Sequence, residues 1–287
     1  MSLSVLKDIR KIYAGLNADE IRGAAYRDLN IGLAASTEEG RREMERFLAP
    51  SYLDAIARND ALRAVHLVDG SPGHRFDFVL CESGVAVPSN GYVFNPVDTG
   101  SLLKTIAADH EELELPIARR FPHFRRPVAD RIIHRISKEN ALFSLVTALP
   151  NVIPSVIDLP WALGEFATDT AFLTMNQIRM ALLMAAAHDN TIGYTEQKTQ
   201  IAVIAAGAFG WRALARELVG KIPLGGGLIP KAAVAFAGTY VVGLGLEKVN
   251  RTGSGLSRRE KKDAYADAFA RGKEVVKEIA PPLVKHG

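Results

Sequence analysis

Between Ile222 and Leu246 the chain carries one charged residue, Lys231, in 25 positions, and from Ala232 to Leu246 it carries none over 15. Few structures tolerate so apolar a run. A simple bilayer span needs ~20 apolar residues, and the uncharged run falls short of that length, so it reads equally as a buried core helix or as a membrane-associated one. Its small residues Ala235, Thr239 and Gly243 recur every four positions and share one helix face, which lets a second helix backbone come close. Pro223 to Pro230, with Gly225, Gly226 and Gly227 between, is not helical throughout. A re-entrant hairpin is open to this stretch only where protein or water satisfies its backbone. A second apolar run, Ile201 to Phe209, closes on Trp211 and Arg212 in the manner of an interface anchor.

The net charge of +3 conceals an asymmetry. Residues 1–115 hold 12 Lys/Arg against 18 Asp/Glu, residues 116–250 hold 14 against 9, and residues 251–287 hold 9 against 5. An acidic first part joined to a basic remainder points to two modules, the second facing an anionic partner. The one cysteine, Cys81, excludes an intrachain disulfide and a cysteine-rich zinc site. Met1 to Gly15 has no long apolar core and carries Lys7, Asp8, Arg10 and Lys11; it reads as a surface helix over Ser4–Gly15, not a signal peptide.

Along the first 115 residues, short apolar runs alternate with helical signals. Strands are expected at Asp28–Ala35, Leu62–Val68, Phe76–Cys81 and Tyr92–Phe94, punctuated by DGSPG (69–73) and PSNG (88–91). Ser36 or Thr37 caps a helix opening on Glu38 and Glu39, and another runs from Gly100 to about His110. After Leu113 the strand signals fade. Helices are expected after Pro127, over Trp161–His188, Thr199–Val219 and Ala232–Leu246, and over the charged tail 258–279, where Tyr265, Phe269, Val276 and Ile279 form a narrow apolar stripe. The fold class is therefore a small α/β domain (1–115), an all-α, glycine-rich apolar domain (116–250) and a charged C-terminal helix (251–287).

The order of elements in the first part resembles a small GTPase domain. A working phosphate loop follows G-x-x-x-x-G-K-[ST], because backbone amides wrap the phosphates, Lys adds charge and the hydroxyl holds magnesium. Gly32 and Gly40 stand where its glycines would be, but with seven residues between them and no following Lys or Ser/Thr. Asp69 and Gly73 in HLVDGSPG are similar to the turn that senses magnesium and the γ-phosphate. Asn95 and Asp98 in FNPVD are similar to the guanine-reading motif, with Pro96 in place of its lysine. The same residues also suit ordinary turns. The resemblance implies a pseudo-GTPase; a residual GTP or GDP site at these four residues is the alternative.

No other chemistry is written locally. The histidines lack metal-ligand spacing, no nucleophile elbow occurs, and Cys81 beside Glu82 lacks the electropositive setting of a reactive thiol, so no metal, cofactor or catalytic residue is assigned. Residues 118–138 carry seven basic residues, Arg119, Arg120, Arg125, Arg126, Arg131, Arg135 and Lys138, against Asp130, with Phe121 and Phe124 interleaved. That pattern fits a segment pressed on anionic lipid, a single-stranded nucleic-acid binder, or arginines bonded to the acidic first part. Lipid gains over nucleic acid because the segment runs into the apolar ALFSLVTALPNVIP (141–154).

The stretches AAGAFGWRALARELVGKIP (205–223) and KAAVAFAGTYVVGLGLEKV (231–249), with FPHFR (121–125) and SKENALFSLVTALPNVIP (137–154), resemble the bacterial helical domain of YcjF-like proteins and of fusions that follow small GTPase domains. The resemblance covers roughly residues 115 to 250. It implies several helices, membrane association at the cytoplasmic face of the inner membrane, and no established reaction. Membrane lipid, a partner protein or a second copy meeting the small-residue face are the partners expected. Arg212, Trp211 and Lys231 join the arginines of 118–138 as expected surface contacts.

Overall fold

The computed structural model describes residues 17–68, 75–147, 169–205 and 228–279. The expected helix at Ser4–Gly15, the turn holding Asp69 and Gly73, the proline-broken segment 148–168, and Trp211 and Arg212 with the glycine turn to 227 lie outside them. The chain forms two compact units, one of residues 19–130 with 185–191, the other of residues 131–184 and 192 onward. The position chosen from charge, 115, lies inside the first unit; the division itself falls within a continuous helix.

The first unit is built on a four-stranded sheet. After α1 (Ala18–Ala25) come β1 (Ile31–Ala34), α2 (Glu38–Leu48), α3 (Ala55–Arg63), β2 (Val65–Leu67), β3 (Phe78–Cys81), β4 (Gly91–Val93) and α4 (Thr99–Asp109). All three pairings are parallel and the order is β2-β1-β3-β4. Every residue of the central strands β1 and β3 is buried, as befits parallel strands covered on both faces, whereas the edges β2 and β4 are partly exposed. Gly32 sits mid-strand because a Cβ there would stand 3.0 Å from Phe76, Val68 and Val79. The expected cap forms, the Thr37 side chain accepting from the Gly40 amide; Asp54, not expected as a cap, opens α3 by accepting from the Ala57 amide. α5 (Glu114–Arg120) follows, and Phe121 and Phe124 behind it are fully buried.

The second unit is helical. α6 (Arg125–Val146) enters it at Arg131, α7 (Asp169–Ala187) leaves it after Met184, and residues 198–205 are helical. α8 (Leu228–Thr252) and α9 (Arg258–Ile279) form an antiparallel hairpin. Gly253 ends α8 in the left-handed region at φ 75°, its amide donating to the Val249 carbonyl at 2.8 Å. Ser257 opens α9 through a reciprocal capping box: its hydroxyl accepts from the Glu260 amide, and Glu260 accepts from the Ser257 amide at 2.7 Å.

Candidate functional site

In an open parallel sheet, ligands bind beyond the carboxyl ends of the strands where the order reverses. Here that point lies between β1 and β3. β1 is followed by Ala35, Ser36 and the cap Thr37, so the α2 N-terminus stands at the crevice. β3 is followed by Glu82, and the carboxylate of Glu82 fills the same place. Its Oε2 accepts from the Ser36 amide at 2.6 Å, the Ser36 hydroxyl at 2.9 Å and the Thr37 amide at 2.9 Å, while Oε1 accepts from the Thr37 hydroxyl. The Thr37 hydroxyl, then the Ser36 hydroxyl and the Thr37 amide, hold this carboxyl at about 2, well below the usual carboxylate range. A carboxylate so engaged is a poor base. A Cβ on Gly40 would overlap the Glu82 carboxyl group, so a larger residue there would displace that carboxylate. The two glycines that suggested a degraded phosphate loop thus serve close approach, one inside β1 and one in the first turn of α2.

Asn95 and Asp98 are engaged locally. Asn95 accepts from the Val97 amide at 3.0 Å in a turn, and Asp98 caps α4 by accepting from the Ser101 amide at 3.2 Å. Cys81 is buried, which pushes its thiol up. A polar cluster joins β4 to the end of α4: the Tyr92 hydroxyl stands 2.9 Å from Asp109 and 3.0 Å from His110 Nε2. Burial and then Asp109 push Tyr92 up to about 12. Among the described residues no group of three or more His, Cys, Asp or Glu could hold a metal ion.

Several arginines of 118–138 are engaged within the first unit. Arg119 bonds Asp189 at 2.8 Å and lies 3.5 Å over the Tyr26 ring; Arg120 bonds Asp60 at 3.2 Å. Arg125 donates to the carbonyls of Ala118 and Arg119, satisfying the end of α5, and burial pulls it below its ordinary value. Arg126 pairs with Asp130. Arg131 and Arg135 are half-buried in the helical unit. Phe121 and Phe124, expected on the surface by a nucleic-acid reading, have 0% exposure and offer no face on which a base could stack.

No family model, curated protein or solved structure matches this chain. Its possibilities therefore rest on its own residues.

Of the described helices, Ile229–Thr252 is long and apolar enough to cross a membrane, with mean hydropathy 1.4 and half of its apolar window buried within the chain. Lys231 is exposed in its first turn and Ala235 is half-buried. Thr239 and Gly243 face inward. Thr239 accepts from Asn140 at 2.8 Å, Asn140 in turn accepts from Asn176 at 2.8 Å, and a Cβ on Gly243 would stand 2.7 Å from Ile133 and 3.1 Å from Met180. On another face, Phe236 and Ala237 pack against Tyr265, Ala268 and Val276 of α9, with Gly272 letting the backbones approach. A span by α8 with this partner would carry α9's charges into hydrocarbon, at a cost of ~2.5–3.5 kcal/mol for each at the centre.

On α9, Arg259, Lys262, Lys273 and Lys277 follow one exposed flank and Glu260, Asp263, Asp267, Glu274 and Glu278 the adjoining one, with Arg259 and Asp263 at 3.8 Å and Lys277 and Glu274 at 3.0 Å paired across the two. The flank of basic residues on α9 is legible in the 3.6-residue period, whereas the role of Glu82 depends on a contact across 45 positions.

Proposed function

We propose that this protein is a non-enzymatic, membrane-associated interaction protein acting through its helical unit at the cytoplasmic face of the inner membrane. The observation that carries the reading is α8, in which the 24 residues Ile229–Thr252 are long and apolar enough to cross a membrane and half of their apolar window is buried within the chain. The resemblance of residues 115–250 to the YcjF-like helical domain supports the same assignment. The pairing of α8 with charged α9 favours peripheral or partial embedding over a full span, and α9's basic flank is the surface offered to anionic headgroups. The first unit is a GTPase-like remnant on this reading: its strand order matches the first four strands of a doubly wound 2-1-3-4-5 sheet, while the loop that would hold phosphate is lacking. It serves as a protein-binding module.

Fractionation of cells expressing the full chain tests the assignment. The protein should pellet with membranes and be released by an alkaline carbonate wash. Recovery wholly in the soluble fraction would contradict it, and resistance to carbonate would show α8 inserted as a span.

A further inference from the structure

We propose that His134 and Lys138 of α6 and Arg271 of α9 form a binding site for a phosphate group beside the Phe236–Tyr240 pair of α8. The three helices meet there: Ala141 and Leu145 of α6, Phe236 of α8 and Val276 of α9 share one core cluster. Phe236 and Tyr240 stack with ring centroids 5.7 Å apart. The His134 ring meets Phe236 edge-on at 5.9 Å, and Lys138 follows one turn later on the same side of α6. From α9, Arg271 donates to the Tyr240 hydroxyl at 3.3 Å. Gly272 brings the α9 backbone against α8, since a Cβ there would stand 3.1 Å from Phe236, and this sets Arg271 beside Tyr240. His134, Lys138 and Arg271 are all exposed, and neither Lys138 nor Arg271 forms an ion pair with another described residue. The charged groups facing His134 are Lys138 on its own helix and Arg271 and Glu278 on α9, so two cations meet one carboxylate. Partial desolvation, then Lys138 and Arg271, pull His134 below its ordinary value, and Glu278 opposes them. Positive groups gathered on facing helices are relieved of their repulsion by an anion among them, and a phosphate accepts from guanidinium, ammonium and imidazole together. By helical period the site lies around α9 from the flank of Arg259, Lys262, Lys273 and Lys277, so it goes beyond the headgroup contact proposed for that flank. A lipid phosphomonoester and free phosphate share the required chemistry.

NMR of the His134 ring in the full-length chain, titrated with inorganic phosphate, is the test. The ring resonance should shift saturably, and its titration midpoint should move upward, because an anion beside the ring favours the protonated form. By the same linkage, phosphate should bind more tightly as pH falls. Lys138→Gln and Arg271→Gln, both on exposed side chains, should each weaken binding ~tenfold, whereas Lys273→Gln, an equal loss of charge on the other flank, should leave it unchanged. Dihexanoyl phosphatidic acid, titrated below its micellar concentration, distinguishes the sources. Tighter binding than inorganic phosphate assigns the site to a lipid headgroup, and equal or weaker binding assigns it to free phosphate; either supports the site. No saturable shift with either probe would overturn the inference, as would shifts undiminished in both Lys138→Gln and Arg271→Gln. Those results leave the membrane assignment standing, since fractionation decides it separately.

Discussion

Thr37 and Glu82 stand 45 positions apart and share hydrogen bonds through both main chain and side chain. Their contact has a pH signature. The Glu82 carboxyl lies at about 2, below its ordinary value, so the stability it contributes is fully present above the unfolded carboxylate range and is lost as pH falls through about 2. Carbon-detected NMR of the Glu82 carboxyl should show a midpoint near that value, moved toward the ordinary range in Gly40→Ala. A wild-type midpoint near ~4.3 would refute the contact. Gly32 and Gly40 show what sequence leaves out at this scale. Their spacing invites comparison with a phosphate loop, yet each is fixed by a neighbour from another element: Val68, Phe76 and Val79 for Gly32, and Glu82 for Gly40. Phe121 and Phe124 make the same point, since their interleaving with arginine says nothing of which side of the chain faces the core. In the helical unit, Asn140 is fully buried and bonds Thr239 and Asn176. Asn140→Ala should lower unfolding stability by ~1–3 kcal/mol in denaturant titration, because it strands two buried partners.

Elements were more legible than contacts. The charged tail helix lies over the residues its period predicts, and the four expected strands form at the four apolar runs, because these signals are local. Strand order is not local, and nothing in the runs themselves places β1 beside both β2 and β3. The start of α8 also differs from the expectation of Ala232: the helix begins at Leu228 with Pro230 in its first turn, where a missing amide leaves no intrahelical bond unmade. Two elements can be tested by single changes. Ser257→Ala removes one half of the capping box and should cost ~1 kcal/mol by thermal or chemical unfolding. Gly243→Ala drives a methyl into Ile133 and should cost ~1–3 kcal/mol; a neutral result would mean that α8 does not approach α6 as described.

For the whole molecule, the contrast of an acidic first part with a basic remainder was read as two modules with a basic surface entering the second. Two compact units are present, and much of the basic segment belongs to the first of them, with Arg119 and Arg120 bonded to Asp189 and Asp60 there. Net charge by segment has no knowledge of such pairing, so the proposed lipid-facing surface is placed on α9 instead. Exposed ion pairs such as Lys277–Glu274 are worth little, so on that proposal they do not hold the flank from an anionic surface. Flotation of the full-length protein with vesicles tests the central claim most directly. Vesicles rich in phosphatidylglycerol should carry the protein upward and neutral phosphatidylcholine vesicles should carry much less. Each basic residue near such a surface contributes ~1 kcal/mol, so Lys262→Ala with Lys273→Ala should weaken binding roughly thirtyfold. A wild-type protein that remains at the bottom of the gradient with both kinds of vesicle would contradict the account.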